Sequence, residues 1–71
     1  MNFILNGREM HTDKGKDQIG YDTISQLAGI DPVRLPTVTY RSKNGDGILV
    51  CDDRLLLTEG TVINCTVTNN T

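Results

Sequence analysis

Gly20-Tyr21-Asp22-Thr23-Ile24-Ser25-Gln26-Leu27-Ala28-Gly29 is the stretch that decides the fold, because here the hydrophobic period stops being two and becomes helical. Tyr21, Ile24, Leu27 and Ala28 recur at helical spacing. Asp22 lies where an acidic side chain favours a helix N-terminus, and Gly29 lies where a glycine ends one. The spacing predicts a short helix over about 21–28. Ile30 suits the hydrophobic contact that accompanies such an ending, and Asp31-Pro32 blocks continuation. A short helix with one apolar face needs a sheet to cover that face.

The chain on either side supplies strands. Upstream, Asn2-Phe3-Ile4-Leu5 and Arg8-Glu9-Met10-His11 flank Asn6-Gly7, the dipeptide best suited to a tight hairpin turn with positive φ at both central positions. Alternation puts Phe3 and Leu5 on one face, with Met10 following on the second strand, and turns Ile4 the other way. Gly15 to Gly20 is polar and reads as a connection out of the hairpin. Downstream, Thr37 to Arg41 alternates, Ser42 to Gly47 is turn chemistry, and Ile48-Leu49-Val50 is a short strand candidate, giving a second hairpin. Asp52-Asp53-Arg54 breaks the run, Leu55-Leu56-Leu57 is too short to classify, and Glu59-Gly60 turns the chain again. A final strand from Thr61 to Thr68 carries Ile63, Cys65 and Val67 on one face and Val62, Asn64 and Thr66 on the other. The expected core is Phe3, Leu5, Ile24, Leu27, Val38, Tyr40, Leu55, Ile63, Cys65 and Val67. The expected order is ββαββ, an α+β domain with one short helix on a mixed four- or five-stranded sheet.

Composition narrows the function classes. A chain of 71 residues forms one domain with one core. No apolar run approaches the roughly 20 residues that a membrane span requires. The N-terminus shows neither a basic region nor an apolar stretch of secretory length, so a cytoplasmic protein is expected. A net charge of -2 with dispersed basic residues excludes nucleic acid as the main partner. Cys51 and Cys65 are expected to be free thiols, and the two glycosylation-type triplets, Asn64-Cys65-Thr66 and Asn69-Asn70-Thr71, carry no weight in a cytoplasmic setting.

No residue pattern points to catalysis, a cofactor or a metal. His11, the only histidine, has Glu9 and Asp13 for sequence neighbours at i±2 on its own strand and reads as a surface residue. Cys51 stands beside two aspartates rather than a base, which is poor company for a nucleophile. Gly45-Asp46-Gly47 lacks the third glycine and the following helix of a phosphate loop, and Asp46, Asp52 and Asp53 are not at calcium-loop spacing.

Three runs together resemble the bacterial ubiquitin-like domains of the multiubiquitin type. They are Phe3-Ile4-Leu5-Asn6-Gly7-Arg8, the helical Gly20 to Gly29, and Asp53-Arg54-Leu55-Leu56-Leu57-Thr58-Glu59-Gly60-Thr61. The resemblance covers nearly the whole chain and rests on the order and spacing of the runs. It implies a β-grasp (ubiquitin-like) fold and a role as a protein modifier, or a module derived from one, in a bacterial ubiquitin-like conjugation system. The implied partners are other proteins, either activating and conjugating enzymes or a bound partner, with no nucleic acid and no membrane. Such domains commonly bind through an apolar patch on the open sheet face, here Ile4, Leu49 and Val62. A modifier would be joined through its tail, here Asn69, Asn70 and Thr71, or accept attachment at lysines such as Lys14, Lys16 and Lys43. The tail lacks the Gly-Gly that conventional modifiers and sulfur carriers present to an activating enzyme. A different tail solution, a longer natural C-terminus and an absence of conjugation therefore stand side by side. A non-covalent β-grasp adaptor is the alternative, and a sulfur carrier the weakest reading.

Overall fold

Asn6 and Gly7 both take positive φ, 52° and 79°, and close the expected turn between β1 (Asn2–Leu5) and β2 (Arg8–His11). Phe3 stands opposite Met10 and Leu5 opposite Arg8. The computed structural model describes residues 1–12 and 17–67. Its remaining strands are β3 (Gln18–Gly20), β4 (Thr37–Ser42), β5 (Gly45–Leu49), β6 (Arg54–Leu56) and β7 (Thr61–Thr66), with the helix α1 over Tyr21–Leu27. Five strands form one mixed sheet in the order β2-β1-β7-β4-β5, while β3 and β6 make a separate two-stranded pair. β1 and β7 run parallel at the centre, and the other pairings are antiparallel.

The helix begins and ends as its sequence suggests. Gly20 caps it without a side-chain hydrogen bond, and the Tyr21 N–H donates instead to the Asp53 carbonyl at 3.2 Å. At the other end the Gly29 N–H donates to Gln26 O and the Ile30 N–H to Ser25 O, with Gly29 at φ 77°, which is the Schellman arrangement. Ile30 then packs against the core. Helix and sheet together bury Phe3, Leu5, Ile19, Tyr21, Ile24, Val38, Leu49, Leu55, Leu57, Ile63 and Cys65 in one cluster.

Several expectations are corrected. The ββαββ order gains two short strands: β3 lies inside the expected polar connection, and β6 takes two of the three leucines that were too short to classify. Pairing Ile19 with Leu55 buries both and explains why three-residue strands persist. The helix buries Tyr21, Ile24 and Ser25, a stripe at i, i+3 and i+4. Leu27 falls off that stripe and is 41% exposed, so it leaves the expected core. Tyr40 is only half-buried at the core margin. β7 ends at Thr66, leaving Val67 half-buried beyond it, and Thr68 lies outside the described residues. Leu49, expected on the open face, stands opposite Val38 and is 4% exposed on the closed face. The two-residue loop Lys43-Asn44 sets this register: Ser42 pairs with Gly45, so β5 starts three residues earlier than the apolar run and Ile48 takes the outward place.

Candidate functional site

Strand alternation divides the five-stranded sheet into a face that meets the helix and a face that meets solvent. The register places Glu9, Ile4, Val62, Arg41 and Asp46 in one row across all five strands of the open face. Ile4 and Val62 are direct neighbours on the parallel pair, the first 36% exposed and the second half-buried. A second row carries Asn64, Thr39 and Ile48, and Ile48 is 66% exposed. The face therefore holds an apolar centre of two residues, a separate isoleucine toward the β5 edge, and a polar surround.

Polar contacts pin the margin of this face. The Glu59 carboxylate accepts the Asn2 N–H at 3.0 Å, and the Gly60 N–H donates to Asn2 O at 2.9 Å, which fastens the start of β1. Asn2 Oδ1 and His11 Nδ1 are hydrogen-bonded across the first hairpin. Arg41 Nε and Asp46 Oδ2 approach to 3.6 Å, but both side chains are mostly exposed, so this pair adds little stability. A hollow beside the fastened start of β1 is lined in part by Asn2, Ile4, Glu9, Glu59 and Gly60.

Of the residues expected to bind partners, the structure brings together Ile4 and Val62 and removes Leu49. Ile48 was missed because its outward direction depends on the loop register and not on the local apolar pattern. Lys43 is exposed in the β4–β5 turn. Lys14 and Lys16 lie outside the described residues, as do Asn69, Asn70 and Thr71.

The groups capable of chemistry are dispersed. Among the described residues, no three His, Cys, Asp or Glu side chains gather where they could hold a metal ion. Cys51 is exposed and Cys65 buried, both as free thiols. Burial pushes the Cys65 thiol up from its ordinary value, with the Ser25 hydroxyl acting the other way. Burial likewise raises the Tyr21 phenol, helped by negative charge at Cys51, Cys65 and Asp22, and its hydroxyl donates to the Pro36 carbonyl. Both groups belong to the core, and Tyr21 also borders the larger hollow at the helix start. That hollow, about 520 Å³, is lined in part by Asp22, Asp52, Asp53 and Arg54, all exposed. Among the described residues no helix is long and apolar enough to cross a membrane.

No family model matches the chain, and neither a curated protein nor a solved structure does.

Proposed function

We propose that the chain is a ubiquitin-like β-grasp module, a protein modifier or a descendant of one in a bacterial ubiquitin-like conjugation system, which acts by being bound and not by catalysing a reaction. The observation that carries this reading is the unequal sheet: one face is closed by a helix, and the other is left bare with Ile4 beside Val62 at its centre. A partly exposed apolar pair rimmed by polar side chains suits a protein partner. The order β2-β1-β7-β4-β5, with a parallel central pair and a helix following the first hairpin, accords with a β-grasp.

Two experiments test the proposal. The chain, with its natural C-terminus, is co-expressed with candidate activating and conjugating enzymes, and denaturation-resistant mass additions on other proteins are sought. Their absence removes attachment and leaves the adaptor reading. Ile4→Arg and Val62→Arg are then expected to abolish binding of the isolated partner while leaving the fold intact; unchanged binding would overturn recognition through this face.

A further inference from the structure

The chain contains two Asn-Gly steps, Asn6-Gly7 and Asn44-Gly45, and the fold holds their side chains differently. An asparagine followed by glycine is open to intramolecular attack, because the next backbone nitrogen carries no side chain to obstruct its approach to the amide carbon. The attack requires the asparagine amide to swing onto that nitrogen.

At Asn6 the amide is not free to swing. Its Nδ2 donates to Cys65 O at 2.9 Å, its Oδ1 accepts the Cys65 N–H at 2.7 Å, and its backbone N–H donates to Ile63 O at 2.9 Å. The side chain thereby continues the β1–β7 ladder one step beyond the last strand pair. Leaving that position would strip both backbone groups of Cys65, itself a buried residue, of these partners. At Asn44 only the backbone N–H is engaged, donating to Ser42 Oγ at 3.3 Å, and among the described residues the side-chain amide makes no hydrogen bond. Asn44 and Gly45 are both exposed, and, as at Gly7, nothing beyond the two chain neighbours lies within 4 Å of the place a Gly45 Cβ would occupy, so the two steps differ in how the asparagine side chain is held.

We infer that Asn44 is a site of spontaneous deamidation and that the native fold protects Asn6 from the same reaction. The Gly45 backbone nitrogen gives up its proton and bonds to the Asn44 Cγ; the Cγ–Nδ2 bond breaks, and ammonia leaves. The resulting cyclic imide takes up water at one of its two carbonyls and opens to an aspartate or an isoaspartate at position 44. Either product adds a negative charge to the β4–β5 turn. The isoaspartyl form also lengthens the backbone of the two-residue loop that sets the β5 register, and with it the outward placement of Asp46 and Ile48.

The test incubates the whole folded protein at mildly alkaline pH beside a sample in denaturant, until the denatured sample has converted at both sites. Peptide mapping by mass spectrometry, with separation of aspartyl from isoaspartyl products, reads each site. Asn44 is expected to convert in the folded protein at least about tenfold faster than Asn6, the scale set by two net hydrogen bonds. In denaturant the two rates should fall within a few-fold of each other. N44A should remove the conversion signal of the folded protein. Equal rates in the folded protein, faster conversion at Asn6, or an Asn44 that converts only in denaturant would each overturn the inference.

Discussion

The two faces of the five-stranded sheet come from the same strands and alternate residue by residue, yet they serve opposite ends. Ile63 and Val62 are adjacent on β7; the first is inaccessible beneath the helix, and the second stands half-buried in the open row. Phe3 and Leu5 enclose Ile4 in sequence, and both are buried while Ile4 is not. Apolar character alone therefore does not separate core from surface here; the phase of the alternation does. On the proposed function, an apolar side chain on the open face is cheap to change for stability and costly to change for binding, and the closed face reverses both.

The largest expected contrast is between those neighbours on β7. Ile63→Ala empties a fully buried position and should lower the unfolding free energy by about 3–4 kcal/mol, whereas Val62→Ala should cost less than about 1 kcal/mol, both measured by urea unfolding. Equal losses would show that the faces are not energetically distinct.

Asn6 is where the division breaks. Although exposed, its side chain ties Cys65 from both sides and its backbone takes positive φ. Asn6→Ala is expected to cost about 2–3 kcal/mol, and Asn44→Ala less than about 1 kcal/mol, in the same unfolding measurement. Gly47 sharpens the division in a second way. It stands opposite Tyr40, and an added Cβ would lie 2.6 Å from the Tyr40 hydroxyl oxygen and 2.9 Å from Cζ of the ring. Gly47→Ala should cost about 1–2 kcal/mol, and pairing it with Tyr40→Ala should recover part of that loss in a double-mutant cycle.

The smallest effect, invisible at neutral pH, comes from titration on the closed side. Cys65 and Tyr21 both hold their protons more tightly when folded than at their ordinary values of 9.0 and 10.0, chiefly because burial penalises the anion. Their stabilising contribution is complete below those values and is lost as pH rises through the higher folded ones. Urea midpoints should thus fall with pH above about 9, the ordinary range of the thiol. Tyr21→Phe should flatten the upper part of that fall, and Ile4→Ala should leave its shape unchanged.

Much of this was legible in the sequence. Asn6-Gly7 announced the first turn, the alternation in β4 and β7 gave their faces, and Gly29 with Ile30 marked the helix end. Three features escaped for physical reasons. β3 offers only Ile19 as an apolar residue between Gln18 and Gly20, too little to show a period of two. The direction of Leu49 and Ile48 depends on which residues form the loop; Lys43-Asn44 does so, with Gly45 at φ 130° as the first strand residue, and a one-residue shift inverts the face. The Asn6 bridge to Cys65 joins residues 59 positions apart, and no local pattern carries such a contact. For the candidate site, Ile4 and Val62 followed from alternation, while their adjacency followed only from the parallel pairing of β1 with β7.

The most direct test of recognition through the open face is a methyl NMR comparison of the free protein and its complex with an isolated partner. The account predicts that the methyl signals of Ile4 and Val62 shift or broaden first, while those of Ile24 on the helix and of Ile63 on the sheet face beneath it stay in place. Shifts confined to Leu27, Leu56 or the helix side, with Ile4 and Val62 unmoved, would contradict it.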